Sequence, residues 1–374
     1  MPSRRAFVKH SLALTTAGLW VGRGHAQPAG EEGQKNVQPK RYRMPIESDP
    51  HERTFMQWPS NSRVYGGARW LRQAQASIAQ IANTIARYEP VVMLASVKER
   101  ERLRKQLDRG VEHWDIPTDD LWCRDSGPTF VCSAEGDLAI AELNFNGWGN
   151  KQTHRRDGDV LKRVAERMNL EVFDSGVVGE GGGIETDGAG TLMAHESSWV
   201  NPNRNPGLNR DEIEARLLQA FGAERMIWAP GVAGADITDY HIDSLARFVE
   251  PGVVLIQLPG QLDPGDPWSV SAFETHDILQ AARDARGRKL EIVVVSGPTR
   301  PRIDSVDFAG SYVNYYVCNG AVIASEFGDA AADENAKAIL SELYPGREVV
   351  MLNTDTLGEY GGGIHCATQQ QPKT

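Results

Sequence analysis

Glu359-Tyr360-Gly361-Gly362-Gly363-Ile364-His365-Cys366-Ala367-Thr368-Gln369-Gln370-Gln371-Pro372 is the stretch on which the reading of this chain turns. Three consecutive glycines open backbone conformations closed to other residues and let the chain approach a ligand, so the cysteine after them is expected on a tight turn facing a cavity. A cysteine taken at random is more often a small buried hydrophobe. The stretch is also echoed upstream: Gly179-Glu180-Gly181-Gly182-Gly183-Ile184-Glu185 resembles the run from Gly358 to His365. Asp125-Ser126 and Asp243-Ser244 each lead, three residues later, into Phe-Val. Such internal similarity predicts a repeated structural unit.

A thiol nucleophile needs a proton carrier and a means of holding its electrophile. Asp236-Ile237-Thr238-Asp239-Tyr240-His241-Ile242-Asp243 offers both. On an extended segment, alternation places His241 and Asp243 on one face, about 6 to 7 Å apart along the strand. Taken alone, His-x-Asp reads equally as a hydrogen-bonded core histidine and a turn cap. Asp119-Asp120-Leu121-Trp122-Cys123-Arg124-Asp125-Ser126-Gly127-Pro128 has crowded acids, a tryptophan and a Gly-Pro stop, which suggests a strand end emptying into a polar pocket. The other reading is an ion-paired turn in which Arg124 neutralises its acidic neighbours. One chemical demand unites the three segments. A guanidinium is planar, stays protonated and presents five N–H donors in a fixed fork, so its pocket wants carboxylates lying in its plane. Asp125 and Asp243 can supply them. Because the cation would be buried, removing either acid should cost several kcal/mol, against about 1 kcal/mol for an exposed pair.

Composition agrees with this class of ligand. The 374 residues are 40% hydrophobic and 24% charged, as in an ordinary globular protein, which sets aside disordered and collagen-like readings. A formal net charge of -10 opposes a phosphate-backbone partner, so nucleic acid is not expected, and suits a small cation. Four scattered cysteines, Cys123, Cys132, Cys318 and Cys366, make neither a disulfide scaffold nor a C-x-x-C zinc site, and no metal is expected. The first three are read as structural, which leaves Cys366 as the working thiol.

Residues 1–26 read as an address. Ser3-Arg4-Arg5-Ala6-Phe7-Val8-Lys9 fits the twin-arginine export pattern, an apolar stretch runs from Ser11 to Val21, and Gly24-His25-Ala26 offers a cleavage site after Ala26. The apolar stretch is shorter than the ~20 residues that span a bilayer, and no later stretch qualifies, so no membrane span is expected in the mature form. The twin-arginine export machinery is the implied partner and the periplasm, or secretion, the implied destination. Residues 27–40 read as a flexible tether. From 41 to 374 a single domain is expected in which strands near 91–95, 138–145, 252–258, 291–295 and 321–325 alternate with helices. The helices are placed near 70–87, 98–109, 158–168, 210–221, 271–285 and 332–343. The fold class is therefore mixed α/β.

Five motifs in order, W-x-R-D-x-G-P (Trp122 to Pro128), E-G-G (Glu180 to Gly182), N-P-N-R-N-P (Asn201 to Pro206), H-x-D (His241 to Asp243) and G-G-G-I-H-C-x-T-Q-Q-Q-P (Gly361 to Pro372), resemble the agmatine deiminase family. The likeness also takes in residues 44–59. It implies a pentein fold, an α/β propeller of about five ββαβ units around a central site. It further implies Cys366 as nucleophile, His241 as general acid and base, Asp125 and Asp243 as guanidinium clamps, and Glu180 as the group that orients His241 or touches the guanidinium. Trp122, Asn314, Gly363 and Tyr240 become candidate substrate contacts. The implied reaction hydrolyses agmatine to N-carbamoylputrescine and ammonia, a step of polyamine metabolism towards putrescine, through a covalent thiouronium and without a cofactor.

The chain departs from the family pattern in carrying Tyr240 where glycine is usual and Ser244 where asparagine is usual. A tyrosine there would narrow the cavity or stack on the substrate. Two rival functions stay open. A secreted peptidylarginine deiminase would use the same residues, with Arg155 and Arg156 gripping an arginine carboxylate. A periplasmic polyamine-binding protein would use the pocket without chemistry, although binding alone requires no thiol.

Overall fold

The computed structural model describes residues 42–305 and 307–374; the expected leader and tether lie outside the described residues. Five small sheets share one plan. In the first, strand Thr129–Ser133 pairs antiparallel with Leu138–Glu142, helix Val160–Met168 crosses over, and Glu171–Asp174 returns parallel to Leu138–Glu142. The plan recurs with Ile184–Thr186, Thr191–His195, helix Arg210–Phe221 and Arg225–Ala229. It recurs again with Ala246–Glu250, Val253–Leu258, helix Pro267–Ala281 and Glu291–Ser296. The fourth copy is Tyr316–Cys318, Ala321–Glu326, helix Ala330–Leu343 and Glu348–Asn353. The fifth joins the two ends of the domain. Thr368–Pro372 pairs antiparallel with His51–Gln57, and helix Ala68–Ile85 then leads to Val91–Ala95, with Val111–Asp115 added at the edge.

Local chemistry explains the elements. Val91–Ala95 is buried at every position because a strand between two parallel neighbours has both faces covered. Helix Arg210–Phe221 opens with a reciprocal cap between Asn209 and Glu212 and closes at Gly222, φ +60°. A Cβ at Gly222 would come within 2.0 Å of the Tyr42 carbonyl oxygen, so the edge strand Tyr42–Arg43 lies where only glycine leaves room. Several expected boundaries move, and for two the local chemistry gives the reason. The strand expected over 138–145 stops at Glu142, and Asn144, at φ +54°, turns its amide to Asp174 and the Val177 carbonyl. The helix expected from 271 begins at Pro267, since Asp266 caps it and proline suits a first helical turn.

Each unit's first strand is preceded by a tight turn. These are the helical turn Cys123–Ser126, the 3-10 turns Gly181–Gly183, Ile242–Ser244 and His365–Ala367, and the bend ahead of Tyr316. The five turns occupy the same position in five repeats. All of them contribute to one site.

Candidate active site

Asp125, His241, Asp243, Asn314, Gly362 and Cys366 line a single cavity of about 800 Å³. Cys366 is partly exposed on its turn. The Asn314 side chain grips the turn from both sides, donating from Nδ2 to Cys366 Sγ at 3.2 Å and accepting the Cys366 backbone N–H on Oδ1 at 3.3 Å. A Cβ at Gly363 would sit 2.6 Å from Asn314 Oδ1, so that glycine lets the two segments close on each other. Cys366 Sγ lies 3.6 Å from Asp243 Oδ2.

His241 is held between two acids. Its Nε2 meets Glu180 Oε2 at 3.1 Å, and its Nδ1 lies 3.6 Å from Asp125 Oδ1. Glu180 is 1% exposed and accepts from Arg204 Nε on both oxygens at 2.9 Å, while Arg204 also bonds Asp239 at 2.7 Å. Glu180 therefore orients the imidazole from behind and is absent from the cavity wall. Asp125 accepts from Trp148 Nε1 at 2.9 Å and from the Gly182 backbone N–H at 3.2 Å. Asp243 Oδ2 meets His365 Nδ1 at 2.7 Å, and its Oδ1 is buried with no partner. An unpartnered carboxylate oxygen at a cavity wall marks the place where a ligand's N–H belongs.

Gly182 is the close-approach point of the site. A Cβ there would stand 2.7 Å from His241 Nδ1, 2.8 Å from Asp125 Oδ1 and 3.0 Å from Asp243 Oδ2. Only a residue without a side chain lets these three groups converge. Beneath them runs a buried ionic network. His365 Nε2 meets Glu47 Oε2 at 2.9 Å, and Glu47 also pairs with Arg124 at 2.8 Å and with Arg247 at 3.0 Å.

Burial acts on every titratable group here, and the neighbours decide the outcome. Burial opposes a charge on His241, but Asp125, Glu180 and Asp243 together outweigh it and lift the imidazole to about 9. Burial raises the Asp125 carboxyl, with His241 pulling the other way. For Asp243 burial is again the largest effect, and His365, His241 and Arg247 overcome it to hold the carboxyl low. Burial and then the charges of Asp243 and Asp125 push the Cys366 thiol well up, against which the Gly363 N–H and the Asn314 amide act weakly. Burial and neighbouring charge thus favour a protonated imidazole and a protonated thiol in the ligand-free site.

Several expectations need correction. His241 and Asp243 do not alternate along a strand: His241 is extended, but Ile242–Ser244 is a 3-10 turn, and that turn carries both groups into the cavity. Gly127-Pro128 does not end a strand; it joins the turn Cys123–Ser126 to the strand Thr129–Ser133. Arg124 pairs with the distant Glu47. Trp122, expected at the substrate, has its ring beneath Gly362, where a Cβ would meet it at 2.3 Å, and faces a neighbouring cavity of about 570 Å³. Gly363 is likewise off the Cys366 cavity wall and acts through its backbone. Tyr240 does line the cavity, as do Gly361 and Gly362. Arg155 and Arg156 are absent from the described lining of that cavity, and Arg156 is a half-exposed side chain bonded to Ser60 and the Thr118 carbonyl. The sequence assigned no role to Trp148, Arg204, Glu47 and His365, although the last three fall inside a motif or stretch already singled out.

A model of the Porphyromonas-type peptidyl-arginine deiminase family matches residues 43–372, and the chain belongs to that family. Among curated relatives it is 38% identical over 360 residues to the agmatine deiminase of Pseudomonas aeruginosa, covering 88% of this chain and 95% of that one. It is 37% identical over 356 residues to the agmatine deiminase of Stutzerimonas stutzeri, with the same coverage of 88% and 95%. The solved agmatine deiminase of Enterococcus faecalis superposes with a TM-score of 0.82 at 26% identity, covering 91% of this chain and all of that one. The fold is that of the pentein superfamily.

Two outcomes follow from this geometry. Gly182→Ala should lower kcat/KM by at least about 100-fold, because displacing His241 or either aspartate by an ångström spoils the alignment of reacting groups; circular dichroism should show the fold retained. Iodoacetamide alkylation of Cys366 in ligand-free protein should be slow at pH 7 and rise through pH 9 without levelling off, since the thiolate is the reactive form. A plateau near neutral pH would contradict the assigned thiol environment.

Proposed function

We propose that the protein hydrolyses agmatine to N-carbamoylputrescine and ammonia. The observation that carries this reading is the charge of the cavity: its described lining contains Asp125, Asp236, Asp243, Asp266, Asp304 and Asp307 and neither lysine nor arginine. A guanidinium belongs between Asp125 and the unpartnered Oδ1 of Asp243, and the outer aspartates suit a second cation at the far end of the ligand. An α-carboxylate at that end would meet only like charge. This favours agmatine over free or C-terminal arginine, and the agmatine deiminase names of the relatives above point the same way.

The reaction follows from the groups in place. The arriving guanidinium neutralises the carboxylates that hold the Cys366 thiol up, so the thiol gives its proton to solvent water when the electrophile is present and takes one back once the product has left. Cys366 Sγ adds to the guanidinium carbon, forming an S–C bond. The His241 imidazolium gives its proton to the departing nitrogen, the C–N bond breaks, ammonia leaves and a thiouronium remains on Sγ. Neutral His241 then takes a proton from water as its oxygen adds to the same carbon. The S–C bond breaks, the thiolate returns, and the second proton of the water passes to solvent, where the departed ammonia is protonated to ammonium. Glu180, held by Arg204, keeps the imidazole aimed through both transfers.

Ammonia release measured with agmatine, L-arginine and an arginine-terminated peptide tests the assignment. Agmatine should be turned over with much the highest kcat/KM, and Cys366→Ala should lose activity by several orders of magnitude. Citrulline formation without turnover of agmatine would reject the proposal in favour of a peptidylarginine deiminase. Ammonia release from the mutant at the wild-type rate would exclude the covalent route.

The export reading is also a proposal. Residues 1–26 carry a twin-arginine leader that delivers the folded enzyme to the periplasm, where it would act on polyamine precursors outside the cytosol. Replacing Arg4 and Arg5 together by lysine should leave activity in the cytosolic fraction, whereas unchanged periplasmic activity would remove this part of the account.

A further inference from the structure

Among the described residues, two large side chains occupy left-handed backbone, Trp148 at φ +56° and Tyr240 at φ +68°. The other non-glycine residues there are Asn144, Asn150, Asn169 and Asp239, types that tolerate this region. For a bulky residue the conformation costs about 1–2 kcal/mol and persists where the surroundings over-determine it, commonly at a functional site. Trp148 fits that pattern, since it holds Asp125. Tyr240 carries the same strain directly before His241, on the wall of the cavity.

The turn that imposes the strain is heavily tied. Asp236 Oδ1 accepts the N–H of Thr238 at 2.8 Å and of Tyr240 at 3.0 Å. Asp239, the other left-handed residue, is bound by Lys151 at 2.6 Å, Arg204 at 2.7 Å and the Gly234 N–H at 2.8 Å. The Tyr240 carbonyl meets His195 Nδ1 at 2.9 Å. The result is a ring fixed in the cavity wall directly before His241. Its centroid is 4.5 Å from Trp268 in an edge-to-face contact at 86°, and 4.6 Å from His195. Trp268 lines the same cavity, positioned by the Pro267 start of its helix. Asp236 and Asp266, which tie down these two aromatic segments, themselves line the cavity.

We propose that Tyr240 and Trp268 form the specificity wall for the ligand's arm, an aromatic surface flanked by aspartates that recognises an unbranched aminoalkyl chain leading away from the guanidinium. This deepens the assignment to agmatine and rests on it. The pieces suit each part of such an arm. Methylene groups pack on aromatic rings, a terminal ammonium gains from the ring face and the neighbouring carboxylates, and a rigid ring leaves no room for a branch.

Binding to the Cys366→Ala protein, measured by calorimetry with agmatine and with ethylguanidine, separates the arm from the guanidinium. Tyr240→Gly should weaken agmatine by about tenfold, the order of one desolvated cation–aromatic contact, and leave ethylguanidine unchanged. Tyr240→Phe, which keeps the ring, should leave the ratio of the two affinities as in the parent. Tyr240→Asn, which tolerates the same backbone but lacks a ring, should reproduce the glycine result and covers the case in which Tyr240→Gly fails to fold. Equal weakening of both ligands, or no weakening of either, would overturn the wall. Turnover of agmatine by the wild type is the separate control: its failure would sink the proposed function, whereas an unchanged ligand ratio with normal turnover would sink only this inference.

Discussion

A buried surplus of carboxylate around one sulfur is the condition on which the rest of the site depends. Burying charge without a partner is costly, so each acid must find compensation. Glu180 finds it in Arg204, and Glu47 in Arg124, Arg247 and His365. Asp243 is satisfied on one oxygen by His365 and orphaned on the other. Asp125 receives only neutral N–H donors within hydrogen-bond distance, with the imidazole further off at 3.6 Å. The missing charge is therefore a cation between Asp125 and Asp243. That deficit also explains the thiol: the same two carboxylates that await the cation keep Cys366 protonated until it arrives.

The repeated architecture makes such a concentration of acids possible. Each unit begins with a tight turn feeding an antiparallel strand pair, and the turns supply Asp125, Gly182, the His241 and Asp243 pair, Asn314 and Cys366 in succession. Because each of the five units supplies its own part of the site, none of the groups needs a long loop, and each is anchored by a small sheet with its own apolar packing. The ionic network under His365 ties the N-terminal Glu47 to the C-terminal turn. Closure of the fifth sheet and assembly of the site are thereby linked in one set of contacts.

Much of this was legible in the sequence because the signals are local. Continuous apolar runs such as 91–95 and 321–325 gave strands with correct bounds to within a residue, and the capped helix 210–221 was matched at both ends. The echo between Asp125-Ser126 and Asp243-Ser244 turns out to mark equivalent turns in two units. The geometry of those turns was not legible, since a 3-10 turn and an extended strand can share the same polar spacing; hence His241 and Asp243 were brought together by the wrong mechanism. Nor could spacing reveal that Trp122 lies behind Gly362, or that Trp148, Arg204 and Glu47 reach the site from 23, 24 and 77 residues away from the acids and the arginine they bond. Long-range pairing leaves no periodic trace in a single chain.

The most direct test of the central claim is the mass of Cys366 itself during turnover. Rapid acid quenching of the enzyme mixed with agmatine, followed by peptide mass mapping, should show the peptide containing Cys366 heavier by agmatine less ammonia, with no such gain in Asp243→Asn. An unmodified Cys366 under conditions where ammonia is being released would contradict the account.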